Sequence, residues 1–151
     1  MRKRAFTRRP IIDGQDVETG RTFKAVNPAT GEAFADVGRA GPAEIDAAVA
    51  SASKAFLSWS KTPVPARQKH LARLLEEVRK AHEEVARLVA TEQGKPVGEA
   101  RAVDIVPAAD TLRYLSRHAA AILAERPVDY AQILFAHKSG SVRLEPLGVV
   151  A

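Results

Sequence analysis

The side chains that most often carry out chemistry are scattered through this sequence. The four histidines are His70, His82, His118 and His137, and no two of them have the spacing of a metal-binding pair. No serine lies in a Gly-x-Ser-x-Gly nucleophile turn. The chain contains no cysteine, and therefore no thiolate nucleophile or thiolate metal ligand. We predict no catalytic residue and no metal ligand in this chain, and interpret each histidine as a surface or packing residue.

The glycine-rich loops that hold nucleotide phosphates are also absent from the sequence. Neither Gly-x-Gly-x-x-Gly nor Gly-x-x-x-x-Gly-Lys-Ser/Thr occurs. Such loops are needed because closely spaced backbone N–H groups must approach the phosphate oxygens. We therefore predict no cofactor-binding residue and no cofactor bound by this chain.

Length and composition describe an ordinary globular chain. It has 151 residues, of which 46% are hydrophobic and 27% are charged, and this length favours one domain. No apolar run approaches the length of a membrane span, and the first residues do not resemble a secretory signal. The expectation is a cytoplasmic protein without a membrane partner.

A formal net charge of +5 arises from the first residues of the chain. The positive charges there belong to Arg2, Lys3, Arg4, Arg8 and Arg9, and no acid precedes Asp13. A basic tail can contact nucleic-acid phosphates. Terminal residues are more commonly frayed and solvated, however, and no nucleic-acid-binding motif follows. We predict a disordered tail over residues 1–9 and no nucleic-acid partner, with phosphate binding as the alternative.

Short strands and turns dominate the chain up to about residue 39. An Asp-Gly turn signal follows residues 10–12, residues 22–26 alternate in polarity, and residues 27–32 form a turn cluster before a strand at residues 33–37. This order predicts a small β-hairpin or meander.

Three helices are predicted next, over residues 42–60, 66–93 and 98–124. Apolar residues recur at helical spacing in each of them. Pro42 suits a first helical turn, Gly94 offers a C-terminal cap, and Pro107 predicts a kink in the third helix. The apolar residues of the first helix are Ile45, Val49, Ala52, Phe56 and Trp59, and those at the start of the second are Leu71, Leu74, Leu75 and Val78.

β-structure is predicted again after Pro127. A hairpin is expected from residues 133–135, a turn at residues 138–140, and a return strand that contains Val142, Leu144 and Pro146. Residues 147–151 are wholly apolar, which is typical of the start of a strand that is buried on both faces.

Four motifs in order resemble the amino-terminal part of the NAD(P)-dependent aldehyde dehydrogenase superfamily. They are Asn-Pro-Ala-Thr-Gly-Glu at residues 27–32, Ala55-Phe56 with Trp59-Ser60, Glu-Gln-Gly-Lys-Pro at residues 92–96 with Glu99-Ala100-Arg101, and Arg-Leu-Glu-Pro-Leu-Gly-Val-Val at residues 143–150. The resemblance covers nearly the whole chain and about the first third of a family member.

The resemblance implies an α/β protein, of which this piece is α+β. An N-terminal hairpin or meander and three helical segments lead to a hairpin of the oligomerisation sheet and the start of a Rossmann-like strand. Residues 10–151 would then be a partial N-terminal domain. By the same resemblance, a break is expected in the middle helix near Ala81 and His82.

The family's chemistry requires residues that this sequence lacks. Family members continue into a Pro-Trp-Asn segment, and the phosphate-binding turn, the general base and the nucleophilic cysteine follow later. Acyl transfer through a thiohemiacetal needs an activated thiolate before hydride passes to NAD or NADP. We therefore expect an N-terminal fragment of a truncated or split aldehyde dehydrogenase, inactive alone. The alternative is a non-enzymatic module that binds itself or a full-length relative by strand addition. The aldehyde substrate, the choice between NAD and NADP, and the oligomeric state are left open.

Overall fold

The computed structural model describes residues 6–128, 134 and 137–150. The strands are β1 (Phe6–Arg8), β2 (Ile11–Ile12), β3 (Gln15–Asp16), β4 (Thr22–Val26), β5 (Ala33–Gly38), β6 (Arg126–Val128) and β7 (Gly140–Val142). The helices are α1 (Pro42–Trp59), α2 (Val64–Gln93), α3 (Val97–Glu99) and α4 (Val106–Ile122), with a π-helical segment (Ala100–Ile105) between the last two. The predicted mixture of an N-terminal β-region and three helical segments is confirmed.

The N-terminal sheet has the strand order β1-β5-β4. β4 and β5 form an antiparallel hairpin in which Thr22 lies opposite Gly38, and β1 joins β5 in parallel, with Phe6 opposite Ala35. Ala35 lies in the central strand and is buried. The sheet thus places the turn between β4 and β5 at one end, where it can meet the helices.

β2 and β3 form the second hairpin that the Asp-Gly signal predicted. Asp13 has φ of 53° and Gly14 has φ of 73°. Two successive positive φ angles are characteristic of the I′ turn, whose twist matches that of the flanking strands.

Part of the predicted disordered tail over residues 1–9 has regular structure. Phe6–Arg8 form β1, and the Arg9 guanidinium lies 2.6 Å from a carboxylate oxygen of Glu18. Pairing with β5 gives these residues a backbone partner that a terminal sequence pattern does not reveal. Residues 1–5 lie outside the described residues.

α2 is continuous where the resemblance implied a break. It runs through Ala81 and His82 without interruption. No glycine or proline occurs between Ala66 and Gln93, so every backbone N–H in this stretch is available for the helical ladder. The break expected near Ala81 and His82 is therefore wrong for this chain.

The third predicted helix is interrupted before Pro107. The N–H of Val106 donates to the carbonyl of Arg101, five residues earlier, which is the π-helical pattern. Pro107 then lies in the first turn of α4, where its missing N–H costs least. The sequence predicted a kink at Pro107, and the structure has a π-helical segment over Ala100–Ile105, which ends two residues before this proline.

The C-terminal hairpin forms, but from other residues than predicted. β6 pairs with β7 in antiparallel register, with Arg126 opposite Val142. Of the strand predicted at residues 133–135, Leu134 is not in a strand, and the other two residues lie outside the described residues. Gly140, expected in the turn, belongs to β7. Pro127 is tolerated in β6 because each strand of a two-stranded ribbon is an edge strand.

The strand predicted over residues 147–151 is wrong for residues 147–150 in this structure. They form no regular element, and Ala151 lies outside the described residues. A strand exists only as part of a hydrogen-bonded ladder, and the described part of the chain supplies no partner for this segment.

The helical core lies where α2 faces the π-helical segment. Ala86, Ala90, Ala100 and Ile105 are buried, and Val78 and Val89 pack against them. Alanines at this contact allow the two backbones to approach closely. The Gln68 amide also donates to the Ser116 carbonyl at 3.0 Å, which links α2 to α4.

Candidate interaction surface

Two of the sequence motifs meet at the C-terminal end of α2. In the turn between β4 and β5, the Ala29 N–H donates to the Asn27 side-chain oxygen at 2.9 Å, and the Gly31 N–H donates to the Asn27 carbonyl at 2.8 Å. Gly94 caps α2 with φ of 67° and lies against this turn. A β-carbon at Gly94 would lie 2.8 Å from Pro28 Cγ and 3.0 Å from the Ala29 nitrogen. The contact joins the sheet to the helices.

A half-buried ion pair holds the loop after α2 on the π-helical segment. The Lys95 ammonium pairs with the Asp104 carboxylate, and the Lys95 side chain is only 17% exposed. Because charges removed from water need a partner, this pair fixes the position of the loop relative to the segment.

A second, exposed ion pair connects the π-helical segment to α2. Arg101 donates from Nε and Nη2 to the two Glu83 carboxylate oxygens at 2.8 and 3.1 Å. Hydrogen bonding from Arg101 lowers the pKa of Glu83, and hydrogen bonding to Glu83 raises the pKa of Arg101. Both shifts favour the charged form of each partner.

The four histidines are not brought together. His70 lies edge-on to Trp59 with ring centroids 5.6 Å apart, and His118 lies against Tyr114 at 4.5 Å. His82 donates from Nδ1 to the Arg79 carbonyl at 2.8 Å, and His137 is exposed. Among the described residues, no group of three or more potential ligands could hold a metal ion.

Many large apolar side chains are exposed on the described residues. Leu147 is 95% exposed and Val150 is 78% exposed, and α1 contains no buried residue. On the helices, the exposed large apolar residues include Ile45, Val49, Leu57, Trp59, Leu74, Val103, Val106 and Tyr114. Such a surface is suited to protein contact, because each of these side chains gains free energy on leaving water. Within the described ranges, no helix has the length and apolar character needed to span a bilayer.

Comparison with known proteins identifies the family. Residues 15–151 match the sequence model of the aldehyde dehydrogenase family. The chain belongs to this family, as the four motifs predicted.

Solved structures of family members share the fold. PnpE in complex with nicotinamide adenine dinucleotide is 31% identical over 81% of this chain, with a TM-score of 0.74. An aldehyde dehydrogenase from Bacillus cereus is 30% identical over 81%, with a TM-score of 0.73. Pseudomonas syringae AldA, an indole-3-acetaldehyde dehydrogenase solved with NAD+, is 28% identical over 82%, with a TM-score of 0.74. The chain spans 26% of the length of each of these proteins.

Two connections in this region were missed by sequence reasoning. One is the ion pair between Lys95 and Asp104, and the other is the contact of Pro28 and Ala29 with Gly94. Both join residues that no local sequence pattern relates. The motifs themselves mark these positions, since Gly94 and Lys95 are adjacent in Glu-Gln-Gly-Lys-Pro. What the sequence did not indicate is which surface each motif would contact.

Proposed function

We propose that this chain is the amino-terminal structural part of an NAD(P)-dependent aldehyde dehydrogenase and does not oxidise aldehydes by itself. The observation that carries the proposal is the family match over residues 15–151 in a chain without cysteine. Residues 10–151 form a partial domain whose apolar helix faces contact the catalytic part of the enzyme.

The chemistry of the family explains why this part alone is inactive. A thiolate adds to the aldehyde carbonyl carbon, and the resulting thiohemiacetal passes a hydride to the nicotinamide, which leaves a thioester for hydrolysis. Without cysteine, this chain cannot form the first covalent bond. The nucleophile, the general base and the phosphate-binding turn would come from the rest of the enzyme.

The cofactor and the partner follow from the same family membership. The structures of PnpE and P. syringae AldA contain NAD, which supports NAD or NADP as the cofactor of the complete enzyme. The exposed apolar surface supports self-association or binding to a full-length subunit. The cytoplasm is the proposed location.

A direct assay tests whether the chain is inactive. The purified chain is incubated with an aldehyde and NAD or NADP while the absorbance of the reduced cofactor is recorded, and cofactor binding is titrated calorimetrically. We expect no aldehyde-dependent reduction and no measurable binding, with the B. cereus enzyme as the positive control. Aldehyde-dependent NADH or NADPH formation by the chain free of contaminating enzymes would refute the proposal.

A non-enzymatic interaction module is the second candidate. It is favoured by the two-stranded ribbon of β6 and β7, in which each strand pairs along one edge only among the described residues. Open edges of this kind accept another strand. Capture of an intact family member by the immobilised chain would support this function.

A further inference from the structure

Two arginines lie side by side at the end of the N-terminal sheet that is away from the β4–β5 turn. One residue beyond the register pair of Thr22 and Gly38, the Arg39 N–H donates to the Arg21 carbonyl at 2.8 Å. Arg21 and Arg39 are therefore cross-strand neighbours, and both are exposed. The β-carbons of such neighbours are about 4.5–5.5 Å apart, and like charges at this distance destabilise a sheet.

The opposite face of the same two strands pairs unlike charges. Lys24 and Asp36 lie across from each other, and the ammonium is 2.9 Å from a carboxylate oxygen. Among the described residues, the side chains of Arg21 and Arg39 form neither an ion pair nor a hydrogen bond. The charge of this pair is therefore uncompensated within the described part of the chain, and a bound anion would relieve the repulsion.

An exposed aromatic residue lies on the arginine face. Phe23 follows Arg21 by two residues, which places both on one side of β4, and Phe23 is 52% exposed. Across from Phe23 is Val37, which is also the register partner of Arg8 in β1. Arg8 is exposed as well. Three arginines and one aromatic ring thus share a face of the sheet.

Two acids lie beside the end of β1. Glu18 pairs with Arg9, and the two side chains are 2.6 Å apart. Asp16 lines an open cavity of about 320 Å³ together with Arg8, Arg9 and Ile11. The four arginines at this end of the sheet outnumber these two acids, so this end of the sheet is positively charged.

This combination of groups suits a single-stranded nucleic acid. Arginine binds phosphate oxygens through two parallel hydrogen bonds, and exposed aromatic rings on a sheet stack against unpaired bases. A duplex keeps its bases stacked inside, and inorganic phosphate has no base. Neither of these two ligands would use the ring of Phe23.

We propose that the face formed by Phe23, Arg8, Arg21 and Arg39 binds single-stranded nucleic acid. Phe23 stacks on one base, and Arg21 and Arg39 together bind the adjoining phosphate. This activity goes beyond the proposed function. It also extends the phosphate binding that was the alternative for residues 1–9 to arginines outside that tail.

Fluorescence anisotropy with labelled oligouridylate and oligothymidylate tests the proposal. We expect the chain to bind a single strand, and tighter binding of one of the two identifies RNA or DNA as the preferred ligand. Three arginine–phosphate contacts predict a slope of about −2 for the logarithm of the affinity against the logarithm of the salt concentration. A duplex of the same length should bind more weakly.

Variants of the ring separate stacking from charge. Phe23→Ala should weaken binding of the single strand by about fivefold or more, because it removes one stacked base. The affinity of Phe23→Ala for inorganic polyphosphate should equal that of wild type. Phe23→Tyr keeps an aromatic ring and should retain binding of the single strand.

Variants of the arginines separate binding from folding. Arg39→Glu should weaken binding of the single strand by about tenfold or more, because it repels the phosphate. Its free energy of unfolding in urea should not fall, since position 39 then has a charge opposite to that of Arg21. Arg73→Gln removes an exposed positive charge from α2 and should bind like wild type.

Three results would overturn the proposal. These are no binding of either single strand, equal affinity for the single strand and the duplex, and equal affinity of Phe23→Ala and wild type for the single strand. The readout is oligonucleotide binding. Its failure would leave the proposed inactivity of the chain to the separate cofactor-reduction assay.

Discussion

Gly94 is the residue at which the sheet and the helices of this chain come closest. It ends α2 in the left-handed conformation, and Pro28 and Ala29 occupy the space where a side chain would project. Position 94 therefore requires glycine for two reasons. Its positive φ favours glycine, and the close approach of Pro28 and Ala29 leaves no room for a side chain.

Gly94→Ala should destabilise the chain by about 1–2 kcal/mol from the backbone conformation alone, with a further loss from the contact with Pro28. The free energy of unfolding in urea measures the change. Gly98→Ala is the matched control, because no atom lies within 4 Å of its β-carbon position and alanine favours a helix by up to about 1 kcal/mol. Equal free energies of unfolding for Gly94→Ala and Gly98→Ala would contradict the predicted role of Gly94.

Residue chemistry predicted the local turns well. Asp13 with Gly14 and the cap at Gly94 were predicted from glycine's tolerance of positive φ, which depends only on neighbouring atoms. The contact between Gly94 and Pro28 could not be predicted in the same way. It depends on how two distant parts of the chain pack, and no local preference encodes that.

At the scale of elements, the helices could be predicted because their apolar periodicity is long and their ends carry proline or glycine. α2 begins two residues before its predicted start and ends at the predicted Gln93. The π-helical segment was not predicted; the sequence indicated only a kink at Pro107, since proline removes an N–H but does not specify how the ladder rearranges. The strand at residues 147–150 failed because a ladder requires a partner strand.

The link between α2 and the π-helical segment should depend on pH through Glu83. Arg101 lowers the pKa of Glu83, so the ion pair contributes fully above the ordinary glutamate range and is lost as the pH falls through the lowered value. Arg101→Gln should return the Glu83 pKa toward its ordinary value in a carboxyl-carbon NMR titration. Arg113→Gln, which removes a different exposed ion pair in α4, should leave it unchanged. An unaltered Glu83 titration in Arg101→Gln would rule out the pairing.

At the scale of the whole molecule, the chain leaves much of its apolar surface in water. The buried apolar residues among those described are Ala35, Ala86, Ala90, Ala100 and Ile105, and most of these are small. Residues such as Leu74 and Ile45, which the sequence placed on the inner faces of α2 and α1, are 50% and 56% exposed. Periodicity predicts the apolar face of a helix correctly, but it does not say whether the covering surface belongs to the same chain.

We expect the isolated chain to self-associate and to be less stable than a closed domain of this size. Light scattering after size-exclusion chromatography should give a mass above the 16.3 kDa of one chain, and a dye that reports apolar surface should bind. The B. cereus enzyme at equal concentration is the reference for dye binding. A monodisperse monomer that unfolds cooperatively at high temperature and binds no dye would show that the chain is an autonomous domain.

The contact between Gly94 and the β4–β5 turn also indicates an order of folding. The β4–β5 hairpin and the pairing of α2 with the π-helical segment each close short loops, whereas this contact closes a much longer one. Closing a long loop costs more conformational entropy than closing a short one. The hairpin and the helices should therefore form first, and the contact between them should form late. An interaction made after the transition state acts on the rate of unfolding. We therefore expect the contact at Gly94 to slow the unfolding of the chain and to leave its rate of folding nearly unchanged.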